Sequence, residues 1–286
     1  MKLSEIYNSS EVKISFEIFP PKGDNYEIKL EELEQELIKL KQVNPALISI
    51  TYGACGSNRN STIEIAKMVK EKIGIIPMQH LTCICSSLQF IQDYIKEIEN
   101  MGLENVLALK GDEPKDNLVC YKDFLYANEL VEYIKKHSSL EVAVAGYPEK
   151  HPTAPSLEED IKRLKTKVET GAVCIFNQMC FDNKNFLNYR DKCEAMGISK
   201  PQIAGIFPIT NYKQIKRITS MCEAQMPKKL IENLEKYKDN QEDIIKYGID
   251  FASEQCAELI QEGIAGLHFY TLNKADATLK ILKNIL

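Results

Sequence analysis

The sequence lacks tryptophan, which excludes nothing about function, and has only four histidines among 286 residues. No apolar run approaches the roughly 18 residues that a membrane span needs, and Met1 to Lys13 has no apolar centre of the kind a secretory leader carries. A cytoplasmic protein that does not enter a membrane is therefore expected. Positive charge is not in excess: 36 Lys and Arg against 41 Asp and Glu leave a net charge of -5. The lysines are interleaved with glutamates along helical stretches, which argues against a nucleic-acid partner. There is no CxxC and no GxGxxG, and no long Pro, Gly or Ser linker divides the chain. Nine cysteines are present, but Cys83-Ile-Cys85 is the one close pair. A chain of this length needs no disulfide staples, so most of the thiols read as small apolar packing residues, kept free in a reducing compartment.

What is present is an alternation. Short β-branched runs are predicted as strands at residues 12–19, 46–52, 75–81, 105–109, 141–146, 173–179, 202–207 and 266–270, each followed by a helical pattern such as Leu30, Leu33, Leu37 and Leu40. Eight such units in one uninterrupted domain, residues 1–286, are what a closed α/β barrel, a (β/α)8 TIM barrel, requires. The alternative, a doubly wound open sheet, usually has fewer strands and a glycine-rich first turn. Ser156 to Glu159 reads as a capping box opening one helix, and Gly171 as its C-terminal stop. The stretch 226–263 is too long for one crossover and predicts an extra helix before the last strand.

In such a barrel, polar residues at the C-terminal strand ends carry the chemistry. They are Glu17, Thr51, Tyr52, His80, Thr82, Lys110, Asp112, Tyr147, His151, Gln178, His268 and Tyr270. Glu17 interrupts the apolar run Ile14-Ser-Phe-Glu-Ile-Phe19. Inside a barrel it would be desolvated, hold a proton near neutral pH and act as a general acid; facing outward, or paired with a lysine, it would be structural. The turn Lys110-Gly111-Asp112 lets backbone amides approach a flat or phosphorylated ligand, or is ordinary turn chemistry. Asp160, Arg163 and Lys167 share one helix face, suited to a pyrophosphate and a hydroxyl, or simply solvated. A zinc site from His80, Cys83, Cys85 and His151 is disfavoured because strand alternation turns the cysteines away from His80, and no metal is expected.

Taken together, Phe16-Glu-Ile-Phe-Pro-Pro21, Thr51-Tyr-Gly-Ala54, His80-Leu-Thr-Cys83, Lys110-Gly-Asp112, Tyr147-Pro-Glu149 with His151, and His268-Phe-Tyr-Thr-Leu-Asn273 resemble the methylenetetrahydrofolate reductase family. The resemblance implies a compact bacterial form without a regulatory domain, carrying FAD and serving one-carbon metabolism and methionine biosynthesis. Such an enzyme reduces 5,10-methylenetetrahydrofolate to 5-methyltetrahydrofolate by a ping-pong mechanism, with NADH or NADPH as donor. On that basis Glu17 is the general acid for opening the imidazolidine ring, and Asp112 is the carboxylate near pterin and flavin. Thr51, Tyr52, Ala54, His80, Lys110, Gly111, Asp112, Ala127, Tyr147, His151, Asp160, Arg163 and Lys167 contact the flavin. Gln178, Gln214 and Lys274 contact the substrates, and a homo-oligomer is implied.

This sequence departs from familiar members at Lys110, Thr166 and Lys274, each standing for Arg, at Arg163 standing for Asn, and at Ile218 standing for an aromatic beside the nicotinamide. Lysine keeps the charge of Arg but loses its planar fork. The departures keep a second reading open, a flavin-bearing subunit fed by an iron-sulfur partner. A third is a zinc-dependent barrel hydrolase or methyltransferase.

Overall fold

The computed structural model describes residues 1–52, 59–112 and 123–286; Ala54 lies outside them. Eight strands form where the β-branched runs are: β1 Lys13–Ile18, β2 Leu47–Ile50, β3 Pro77–Thr82, β4 Asn105–Leu109, β5 Glu141–Gly146, β6 Cys174–Met179, β7 Gln202–Ile206 and β8 Gly266–Tyr270. They pair in parallel in chain order and close, β8 on β1, into a (β/α)8 barrel. Every strand limit falls within two residues of the one expected from the sequence.

The helices are α1 Leu3–Ile6, α2 Tyr26–Lys41, α3 Arg59–Lys67, α4 Leu88–Asn100, α5 Ala127–His137, α6 Leu157–Glu169, α7 Asn183–Ala195, α8 Tyr212–Cys222, α9 Lys228–Tyr237, α10 Gln241–Gln261 and α11 Asp276–Ile285. A π-helical stretch, Met68–Ile73, continues α3. The extra helix expected before the last strand is there, since α8, α9 and α10 all lie between β7 and β8. At α6, Ser156 accepts the Glu159 N–H at 3.2 Å, but the reciprocal half of the capping box is replaced. Glu159 turns to Lys162 at 2.7 Å, where a charged donor outcompetes a backbone amide. Gly171 follows α6 with φ +125.

Strand alternation sorts the core into layers. Outward residues such as Phe16, Ile50, Leu81, Val106, Val144 and Leu267 pack under the helices with Leu33, Leu37 and Leu40 of α2. Inward residues of the lower barrel, Leu47, Met78, Leu107, Ala143, Cys174, Phe176 and Ile203, meet Leu3, Ile6 and Tyr7 of α1. That four-residue helix is too short to show a period in the sequence, yet it is firmly held. Asn105 Oδ1 accepts the Leu3 N–H at 2.9 Å, and the Glu141 carboxylate accepts from both Ser4 N–H and Ser4 Oγ at 2.7 Å. A third cluster, with Met179, Phe207, Ile209, Ile215 and Leu234 at its centre, fills the space beneath α8, α9 and α10.

Cys83, Cys174, Cys180, Cys193 and Cys256 are buried free thiols, as packing residues should be, and Cys222 is half-buried. Cys85 departs from the free-thiol expectation: it is disulfide-bonded, a pairing that spacing along the chain does not reveal.

The seat of α10 depends on a missing side chain. A Cβ on Gly248 would stand 1.9 Å from the Ile209 carbonyl oxygen, so helix backbone lies directly on the chain leaving β7. Gly to Ala in an unencumbered helix stabilises by about 1 kcal/mol. Here Gly248→Ala is expected to destabilise by about 1–3 kcal/mol through overpacking, read from urea unfolding; a gain in stability would show that α10 is free to shift.

Candidate active site

The register of β1 fixes the centre of the site. Glu17 lies level with Ser49 on β2 and Tyr270 on β8, and Ser15 level with His268. The segment following β8 then clamps the exit of β1. Thr271 Oγ1 donates to the Glu17 carbonyl at 2.7 Å, and the Asn273 side chain accepts from Phe19 N–H and donates to Phe19 O, both at 2.8 Å. Leu272 and Asn273, with φ of +50 and +60, make the turn that allows this. The conformational strain is placed where it holds the backbone of Glu17.

Glu17 faces the barrel interior. It is 8% exposed, and its Oε2 lies 3.6 Å from His80 Nε2 and 4.0 Å from His268 Nε2. Burial pushes the carboxyl up to about 8. Burial likewise lowers both imidazoles to about 3, His80 adding to the effect on His268. All three groups are thus neutral near pH 7, and the separations are too long for hydrogen-bonded ion pairs. Glu17 does not face outward, and no lysine or arginine pairs with it among the described residues. His268 is held on both sides, Nδ1 2.8 Å from Ser15 Oγ and Nε2 3.2 Å from Ser49 Oγ. His80 Nε2 and Thr82 Oγ1 are buried without a hydrogen-bond partner, two polar atoms that a bound ligand could satisfy.

Beside this dry cluster, a cavity of about 330 Å³ opens among β4, β5, α5 and α6. Seven expected residues line it, Lys110, Ala127, Tyr147, His151, Asp160, Arg163 and Lys167, together with Tyr126, Thr153 and Thr166. The α6 face is therefore more than a solvated surface. Lys167 donates to the Ala145 carbonyl at 2.6 Å, and burial lowers its amine to about 8 against the pull of Asp160. The His151 N–H donates to Asp160 Oδ2 at 2.9 Å, while its Nδ1 accepts from Thr153 N–H at 3.1 Å. Burial lowers the His151 imidazole, and with Nδ1 accepting, the neutral ring carries its proton on Nε2. Tyr147 stands edge-on to His151 at 4.7 Å, its phenol raised by burial to about 12.

The remaining candidates are placed less uniformly. Gly111 has φ +85, and a Cβ there would meet Thr82 Cβ and Ile84 Cγ2 at 2.9 Å, so glycine is needed to let the Lys110-to-Asp112 turn close over β3. Thr51 continues β2, its N–H donating to Ile18 O at 3.0 Å. The Tyr52 ring packs in the outer core 5.4 Å from Tyr94. Gln178 sits in an irregularity between β6 and β7, its Oε1 accepting the Met179 N–H at 2.9 Å. Gln214 lies in the first turn of α8, Lys274 is exposed after β8, and neither lines the cavity. Sequence reasoning missed Ser15 and Ser49, although Ser15 shares the face of Glu17 two residues away. Among the described residues no three His, Cys, Asp or Glu converge as a metal site would require.

Comparison with known proteins gives the family. The model of the methylenetetrahydrofolate reductase family matches residues 2–286. Methylenetetrahydrofolate reductase (NADH) 1 of Arabidopsis thaliana is 36% identical over 298 residues, covering 99% of this chain and 50% of its own length. The 5,10-methylenetetrahydrofolate reductase of Escherichia coli (strain K12) is 33% identical over 271 residues, covering 95% of this chain and 90% of its own. The chain thus spans about half the length of the plant relatives and most of the bacterial ones. A solved structure of an uncharacterized protein from Clostridium thermocellum, which binds two copies of 5-methyl-5,6,7,8-tetrahydrofolic acid, superposes with a TM-score of 0.73 at 15% identity, covering 100% of this chain and 98% of that one. That likeness is one of fold.

The titration of Glu17 has a stability consequence with a definite sign. Between the ordinary carboxyl value of 4.5 and about 8, the folded chain keeps a proton that the unfolded chain has released, so this group's contribution to stability falls as pH rises through that window. His80 and His268 act in the opposite sense between about 3 and 6.5, where stability rises with pH. Glu17→Gln should therefore gain stability relative to the parent as pH is raised from about 5 to about 9, measured by thermal unfolding; a gap independent of pH would place a charged carboxylate in the folded state.

Proposed function

The chain belongs to the methylenetetrahydrofolate reductase family, and from that premise we propose that it reduces 5,10-methylenetetrahydrofolate to 5-methyltetrahydrofolate with bound FAD, Glu17 serving as general acid. The observation that carries the reading is a buried, inward-facing carboxyl at the C-terminal end of the barrel, in a chain whose cavity between α5 and α6 has cations along one wall. The residues present fit the cofactor. Lys110, Arg163 and Lys167 would meet its phosphates and Asp160 a sugar hydroxyl, while Ala127, Tyr147 and His151 bound the cavity. His80, with its unpartnered Nε2, Thr51, Tyr52, Ala54 and Gly111 complete the proposed contacts. When bound, FAD supplies the hydride chemistry between a reduced nicotinamide and the folate methylene carbon.

The chain's own contribution is a proton and a set of orientations. Glu17 donates to the amine nitrogen of the imidazolidine ring as that ring opens. Desolvation keeps the proton on the carboxyl at neutral pH yet leaves it acidic enough to transfer. Asp112 accepts paired N–H donors of the pterin. The amide of Gln178 serves pterin and nicotinamide in turn, Gln214 touches substrate, and Lys274 meets the folate tail carboxylate as a point charge. The donor is read as NADH, in keeping with the names of the plant relatives.

An anaerobic titration tests the reading. The protein should be yellow, lose its colour with NADH or NADPH, and regain it when methylenetetrahydrofolate is added. Glu17→Gln should bind flavin and be reduced normally while folate reduction slows by about 10²–10⁴-fold. A protein that stays colourless after flavin is offered would refute the proposal. A yellow protein that neither nucleotide bleaches would instead favour an iron-sulfur partner as donor, a reading for which Ile218, standing in place of an aromatic, gives the motive.

A further inference from the structure

The motif Tyr147-Pro148-Glu149 contains one acidic residue that the proposed chemistry does not use. Glu149 is partly buried in the β5–α6 loop, and no lysine, arginine or histidine pairs with it among the described residues. Its carboxylate is instead held by two amide donors from different parts of the fold, and it also meets the Cys180 thiol, which burial and then this carboxylate raise. Asn185 Nδ2, in the first turn of α7, donates to Oε1 at 3.0 Å. The Gln225 N–H, in the connection between α8 and α9, donates to Oε2 at 2.8 Å. An unpaired carboxylate that joins three segments acts as a tie, because charge-assisted bonds to amides are directional and short.

What the tie holds is the end of α8. That helix stops at Glu223, in the left-handed conformation with φ +54, and Gln225 follows two residues later. Ile218 and Cys222, four apart and so on one face, pack onto the cluster that includes Met179, Phe207 and Tyr270. Burial, and then the carboxyl groups of Asp112 and Glu17, raise the Cys222 thiol, in keeping with a last turn of α8 that stands beside both proposed reacting carboxyls.

We propose that Glu149 is a positioning residue, tying the last turn of α8 to the β5–α6 loop and to α7 so that Ile218 and Cys222 form a fixed wall for the folate substrate. The wall's role toward folate rests on the reductase reading; the tie itself does not. Glu17 and Asp112 stand on the barrel strands and their loops, so releasing the tie should loosen substrate binding without touching proton transfer.

The test uses the full chain with its flavin. In Glu149→Ala, alkylation of Cys222 by iodoacetamide, followed by peptide mass, should accelerate about tenfold, the size of one lost charge-assisted hydrogen bond. KM for methylenetetrahydrofolate should rise several-fold while kcat and flavin content stay as in the parent. Glu149→Gln should restore both properties, since its oxygen can accept from Gln225 while the Asn185 amide turns to accept from its nitrogen. If the alanine variant does not fold, Gln225→Pro removes a single donor and carries the same expectation. Unchanged alkylation, or a fall in kcat at constant KM, would overturn the proposal. Were the parent protein inactive on folate, the reductase reading would fall, and the alkylation rates would still decide whether the tie exists.

Discussion

The pairing of β1 with β8 is the constraint on which the rest of this structure depends. It converts seven ordinary parallel pairings into a closed wall, and its register, Lys13 against Gly266 through Glu17 against Tyr270, brings the two most distant strands in the sequence together at the site. The seam requires a glycine, because a Cβ on Gly266 would lie 2.7 Å from the Lys13 carbonyl. Once it is closed, His268 falls between Ser15 and Ser49, and the Thr271 and Asn273 side chains fasten the exit of β1. A slip of one residue along this seam would exchange the inward and outward faces of β1 and turn Glu17 into the helix layer.

Two electrostatic environments follow, side by side. Around Glu17 the barrel interior is dry, and desolvation drives the carboxyl and both imidazoles to their neutral forms. A few residues away, between α5 and α6, Arg163, Lys167 and Lys110 are gathered with Asp160 around an open cavity. A fold that built only the first would have a proton with nothing to receive it. One that built only the second would bind anions without chemistry. The turn Lys110-Gly111-Asp112 joins them, and the absent side chain of Gly111 lets it lie down on Thr82 and Ile84.

Much of this was legible in the sequence because it is written in short periods. Strand runs of β-branched residues and helices with leucines every three or four positions survive reading one segment at a time, which is why strand limits agree closely. What a local reading cannot supply is orientation and long-range company. The sequence leaves the direction of Glu17 open; barrel closure turns it inward, toward two imidazoles. Ser15 and Ser49 carry no local signal, because their partner His268 lies more than two hundred positions away in the chain. α1 is too brief to carry a period, Glu159 finds a better partner than its cap, Cys85 is disulfide-bonded, and Cys222 joins the apolar cluster that Tyr270 also packs on through a helix end.

The short helix α1 has an effect out of proportion to its four residues. By filling the bottom of the barrel with Leu3, Ile6 and Tyr7, it makes the interior a cul-de-sac. On that side, among the described residues, packed side chains stand between solvent and Glu17, which leaves the opposite mouth as the approach that water and a ligand share. A bound ligand becomes the stopper of a closed vessel, and whatever proton the carboxyl gives up inside must be replaced from solvent in the interval between one visitor and the next.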